Sequence, residues 1–170
     1  MTYLQSFSQM NKQLGQLDAW IERAAAYAQG RKVDPATFLG FRLAPDQFAF
    51  GRQVLITCDT AKLAASRLSG KAAPTFPDTE KDFDELRARI RATRDYLDGL
   101  RAEDFDSADT RVVSQPRWEG KWMTGADYFH EHALPNFYFH LAHAYALLRH
   151  NGVDLGKKDY LGALSLRDPA

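Results

Sequence analysis

A chain of 170 residues, 45% hydrophobic and 26% charged, is long enough for one well-buried domain and short for two. Lysine plus arginine balance aspartate plus glutamate at 22 each, so no net field draws in polyanions and nucleic acid is excluded as an expected partner. The single cysteine, Cys58, excludes an internal disulfide and a CxxC metal knuckle.

Met1–Ser6 has neither the basic stretch nor the apolar run of a secretion signal. No apolar run approaches the roughly 20 residues of a membrane span, so the expected setting is reducing and cytoplasmic, with no membrane partner. Tyr3, Phe7, Met10, Leu14, Leu17, Ile21 and Ala24 recur at alternating spacings of four and three, which predicts a helix over 2–29 ended by Gly30, with Trp20 near the edge of the stripe. A connector with a short turn at Ala36–Leu39 follows.

The second helix is predicted to open at Pro45 and Asp46 and to run to Gly70, on Phe48, Phe50, Val54, Leu55, Cys58, Ala61, Leu63, Ala64, Ala65 and Leu68. Gly51 inside it costs roughly 1 kcal/mol against alanine, which points to close approach by another helix. Gln53 shares a flank with Thr57 and Thr60. Cys58 reads as inert packing, and Asp59 with Lys62 as a local ion pair.

Two prolines make Lys71–Pro77 a loop. Helix three is predicted from Asp78 or Thr79, with Thr79 and Asp82 at capping-box spacing and an apolar stripe of Phe83, Leu86, Ile90, Thr93, Leu97 and Leu100. Arg87, Arg89, Arg91, Arg94 and Asp95 read as its solvated face, since carboxylates interleave with the arginines.

Between 101 and 122 the pattern changes to short β-branched or aromatic runs, Arg111–Val113 and Arg117–Trp122, which predict a small hairpin or extended excursion. Its tryptophans, Trp118 and Trp122, either cap one end of the helices or line a ligand pocket. Thr124–Asp127 is a second capping-box candidate that opens the last helical region. Pro135 predicts a kink or restart near Leu134, and Asn151-Gly152 stops the helix after Arg149 or His150. The tail from Val153 to Ala170 is expected to be ordered over its first half and frayed beyond.

These elements give an all-α fold, a four-helix bundle with long connections and a small extended or hairpin excursion before the last helix, in a single domain over 1–170. On that last helix Asn136, His140 and His143 fall within about 60° of one another at 100° per residue. Phe137, Ala144, Leu147 and Leu148 flank them, and polar groups beside a buried face demand bonding partners. His130 and His132, on either side of Glu131, read as solvent-facing, and His150 as a helix-terminal cation. Tyr138, Tyr145 and Tyr160 are expected to bring hydroxyls to the same end as the site. There is no Ser-His-Asp order, P-loop or dinucleotide glycine motif.

Phe139-His140-Leu141-Ala142-His143, leading to Leu148-Arg149-His150-Asn151-Gly152, resembles the last helix of the DinB/YfiT-like superfamily. Leu43-Ala44-Pro45-Asp46, Pro135-Asn136-Phe137-Tyr138-Phe139-His140 and Ala144-Tyr145-Ala146 resemble a branch of it known only as a domain of unknown function. The resemblance implies a DinB-like bundle, often a homodimer. It also implies a divalent metal held in many relatives by one histidine of helix two and two, four apart, of helix four, and used in some for thiol transfer or hydrolysis. On that pattern His140 matches the second histidine of the pair, Asn136 stands where the first would be, and Gln53, judged by distance from Gly70, replaces the helix-two histidine. His143 is an addition.

Zinc and nickel favour imidazole over amide oxygen, so the set Gln53, Asn136, His140 and His143 is a degenerate metal site, holding zinc or nickel weakly or no metal at all. Three readings follow. One is a pocket for an unknown small molecule around His140, lined by Gln53, Asn136, His143, Trp118 and Trp122. The second is a metal-dependent hydrolase or thiol transferase using His140 and His143. The third is a non-catalytic homodimer in which the polar cluster only specifies packing.

Overall fold

The computed structural model describes residues 1–168; residues 169 and 170, the end of the predicted domain and of its tail, lie outside the described residues. In chain order it has α1 (Tyr3–Arg31), α2 (Phe50–Ser69), α3 (Phe83–Asp98), β1 (Val112–Ser114), β2 (Trp122–Thr124), a single turn α4 (Gly125–Asp127), a π-helical turn (Tyr128–Ala133), α5 (Leu134–His150) and α6 (Lys157–Leu161).

The predicted stripe of α1 is its buried face, with Phe7, Met10, Leu14, Leu17, Ile21 and Ala24 in the core and Trp20 buried beside them. Thr2 and Gln5 form a reciprocal capping box at its start. The helix passes Gly30 and stops where Lys32 turns left-handed at φ 58°. Helix α2 begins at Phe50 instead of Pro45, because residues 42–47 fold into a turn closed by Gln47 N–H on the Ala44 carbonyl. Gly51 faces the short 3-10 helix Pro35–Gly40, where a Cβ would lie 3.5 Å from Leu39, an ordinary contact distance. The glycine that a close approach does require is Gly125, where a Cβ would fall 1.9 Å from the Ala108 carbonyl oxygen. Helix α3 is capped one turn later than Thr79, by Asp82, whose side chain accepts from Glu85 N–H at 2.8 Å.

Side-chain pairs fix the directions of the helices. Asp18 meets Arg87 and Asn11 meets Arg94, so α1 and α3 are antiparallel. Phe50 meets Phe83 and Asp59 meets Arg89, so α2 and α3 are parallel. Gln53 meets His140 and Thr60 meets Asn136, so α2 and α5 are antiparallel. Around the bundle the order is α1, α3, α2, α5. Two parallel neighbours cannot be joined by a tight turn, so residues 70–82 form a strap that returns along α2, which is about 30 Å long.

That strap overturns the reading of Arg89 as solvated. Arg89 is only 3% exposed. Its guanidinium donates to Asp59 and Asp78 at 2.7 Å and to Glu80 at 2.8 Å, and lies over the Phe76 ring. Lys62 joins the same cluster, bonding Asp59 at 3.0 Å and the Pro74 carbonyl at 2.9 Å. Arg91 remains exposed, as the sequence suggests, and Arg87 is half-buried against Asp18.

The hairpin is present, with Val113 opposite Met123. Only Trp118 caps the helices, edge-on to Tyr128 and His132, while Trp122 is 59% exposed. Thr124 caps α4 as predicted. Near Pro135 the chain stays helical but changes type, and α5 starts at Leu134 as the sequence suggests. Proline has no N–H to offer the preceding turn, and the helix widens there into the π turn before α5 continues. The left-handed stop after α5 is Gly152, at φ 94°.

Replacing Arg89 with methionine leaves Asp59, Asp78 and Glu80 beside an apolar side chain, and is expected to cost about 3–5 kcal/mol in urea unfolding. A loss below about 1 kcal/mol contradicts the role assigned to the strap.

Candidate functional site

The α2–α5 seam carries polar side chains where an ordinary bundle has aliphatic ones. His140 is 7% exposed and its Nδ1 lies 2.7 Å from Gln53 Oε1. Gln53 is buried too, and its Nε2 donates to the Phe48 carbonyl at 3.1 Å, which fixes the amide orientation. Oε1 must then accept, so Nδ1 of His140 carries the proton and Nε2 is the basic nitrogen. Nε2 has no partner in the protein and is not sealed off. Burial, then the nearby His143 and Arg52, push the His140 pKa down to about 4, which leaves the ring neutral at pH 7.

Asn136, one turn earlier, donates through Nδ2 to Thr60 Oγ1 at 2.7 Å. Thr60 in turn donates to the Ile56 carbonyl, and the buried Thr57 donates to that of Gln53. The predicted flank of Gln53, Thr57 and Thr60 is thus the α2 side of the seam. His143 stands apart. Its Nδ1 turns back onto the Phe139 carbonyl at 2.7 Å and its ring packs on Phe139, outside the lining of the cleft.

That cleft, about 290 Å³, is lined by His140, Asn136 and Thr60, by Phe48, Ile56 and Leu63, and by Arg52, Arg67 and Arg117. Its far wall is a connected set. Arg67 donates to the Tyr128 hydroxyl at 2.8 Å, Tyr128 stacks on His132 with centroids 5.4 Å apart, and Arg117 donates to His132 Nε2. The π turn brings Tyr128 and His132 onto one face, so His132 is half-buried in this wall and not solvent-facing. Trp118 and Trp122 line a separate groove together with Arg117, Glu119, Lys121 and Met123.

Tyr145 and Tyr160 pack on Trp20 at the α1–α6 side, away from the cleft, and Tyr138 is not among its lining residues either. Cys58 is fully buried and burial pushes its thiol up to about 12, so it is inert packing.

Residues 2–161 match the family described as Domain of unknown function (DUF1993). The chain belongs to the DUF1993 family. No curated protein matches it. Among solved structures, it is similar to a DinB family member protein from Shewanella denitrificans, at 48% identity and a TM-score of 0.92, covering 96% of this chain and 93% of that one. A DinB-type bundle is therefore the frame of this DUF1993 site.

Gln53, Asn136 and His140, the residues that the resemblance sets against three histidines, meet across the α2–α5 seam. Gln53 Oε1 is committed to the His140 N–H, so the open donors are His140 Nε2 and Asn136 Oδ1. Among the described residues no three His, Cys, Asp or Glu side chains gather as metal ligands.

The sequence reading missed Arg52, Arg67, Tyr128, His132 and Arg117. For α2 a signal existed: Arg52, Ile56, Asp59, Leu63 and Arg67 share one stripe at helical spacing, a polar-ended row beside the seam. Arg117 comes from a loop, and no spacing on the helices points to it.

His140 gives this DUF1993 chain a pH dependence of calculable sign. Unfolded, the ring titrates near 6.5; folded, near 4. Between those values the unfolded chain binds a proton the folded chain refuses, so the contribution is intact above 6.5 and lost as pH falls. The native protein is expected to lose about 2–3 kcal/mol more than His140→Gln between about pH 7 and pH 4. Equal losses in urea titrations of the two proteins contradict the assignment.

Proposed function

We propose that this protein binds a small molecule in the α2–α5 cleft, with His140 as a neutral hydrogen-bond acceptor at the cleft floor and without a resident transition metal. One observation carries the reading: a buried imidazole locked through Nδ1 by Gln53 leaves Nε2 unpartnered beside a cleft. The Gln53 bond alone fixes the packing, and the open Nε2 is an acceptor that a ligand in the cleft can use. The cleft sits at the lower end of the size range of ligand pockets, about 300–1,000 Å³.

The donor set does not fit zinc or nickel. One imidazole and one amide oxygen fall short of the three or four nitrogen, sulfur or carboxylate ligands those ions take, and the third candidate is spent holding His140 in its tautomer. The other two imidazoles nearby are engaged: His143 is held back on the Phe139 carbonyl, and His132 Nε2 accepts from Arg117. No step is therefore routed through a metal.

A fragment screen by protein-observed amide NMR tests the proposal. Fragments are expected to perturb the amides of Thr60, Asn136 and His140. Leu63→Trp, a substitution at an exposed lining position, is expected to remove those hits with the fold intact. Hits that survive Leu63→Trp unchanged contradict the assignment of the cleft.

A further inference from the structure

Three guanidinium groups, those of Arg52, Arg67 and Arg117, line a cleft that holds one carboxylate, Asp59. Asp59 is already engaged by Arg89 at 2.7 Å and by Lys62 at 3.0 Å. Arg52 is paired with Asp78 at 2.8 Å, but among the described residues neither Arg67 nor Arg117 has a carboxylate within ion-pair reach. Their contacts are with the neutral partners Tyr128 and His132. Counting the connected cluster, the cations Arg52, Lys62, Arg67, Arg89 and Arg117 face the carboxylates Asp59, Asp78 and Glu80, an excess of positive charge. Glu131 lines the adjoining groove and is not among the residues of the cleft.

A second and independent feature agrees. Gln115 Nε2 is a buried donor with no acceptor, on a residue that lines the cleft. His132 Nδ1 is buried and unpartnered as well. Because a guanidinium can only donate, His132 must accept from Arg117 at Nε2, and its proton therefore resides on Nδ1. Both orphaned groups are donors, and a buried donor without an acceptor is costly unless a ligand supplies one. Neutral cleft walls are assured by His132 itself, since burial together with Arg117 and Arg67 holds its pKa below the ordinary histidine value.

Resting on the small-molecule reading above, we infer that the cleft selects an oxyanion, a carboxylate or phosphate group carried by a compact organic molecule, gripped between Arg67 and Arg117. Planar guanidiniums match both groups through paired N–H donors. The apolar side of the cleft, Phe48, Ile56 and Leu63, takes the carbon part of the molecule.

Calorimetric titration of the full chain at low salt with benzoate, phenyl phosphate and uncharged benzamide tests the inference, with His140 followed by NMR. At least one aryl anion is expected to bind saturably, with benzamide at least tenfold weaker. The tighter of the two anions identifies the group as carboxylate or phosphate. Arg67→Gln and the surface substitution Arg117→Gln are each expected to weaken that anion at least tenfold, while Arg149→Gln, at the exposed end of α5, leaves it unchanged. Benzamide binding as tightly as benzoate, with the His140 signals moving, overturns the anion and leaves the pocket standing. Anion affinity unaffected by either arginine substitution also overturns it. Failure of all three probes to perturb His140 overturns the pocket as well.

Discussion

The structure depends on how two antiparallel helices, α2 and α5, tolerate polar groups on the faces they press together. Two cross-links settle it. Gln53 accepts from His140 near one end, and Asn136 donates to Thr60 about one turn away on α5 and two turns away on α2. Each satisfies a side chain that burial would otherwise penalise, and each fixes the register of the helices. The cleft exists because these bonds fill the seam with side chains whose outer edges stay polar.

The site is also tied to the strap between α2 and α3. Asp59 lines the cleft on one side and accepts from Arg89 on the other. Asp78, on the strap, takes Arg89 and Arg52 together and so holds Arg52 at the cleft edge. Three carboxylates around one buried guanidinium are a costly arrangement unless every partner is in place. The parallel packing of α2 and α3 creates the need for a long strap, and the strap's acids position one wall of the site. Fold and site are thus linked by charge as well as by packing.

What was legible in the chain was whatever a single helix states about itself. The stripes of α1 and α3 read directly as buried faces, because apolar spacing needs no knowledge of partners. Asn136 and His140 stood out for the complementary reason, as polar residues beside an apolar stripe, and Gln53 through the family resemblance. Helix starts were less legible: Pro45 and Thr79 are good capping residues in isolation, yet Ala49 and Asp82 hold those positions because the neighbouring turns decide where each helix emerges. Arg89 was misread because an arginine among carboxylates looks solvated until a loop from elsewhere folds over it. The same limit hid Arg117 and His132, whose meeting depends on a hairpin returning against a π turn.

The central claim is that Gln53 holds His140 as the neutral tautomer with its proton on Nδ1 and Nε2 open to the cleft. Nitrogen-15 NMR of the imidazole reads this directly through the shifts of the two ring nitrogens. The account predicts a protonated Nδ1 and a bare Nε2 at pH 7, with the charged ring appearing only near pH 4. A proton on Nε2, or a titration midpoint at the ordinary 6.5, contradicts it.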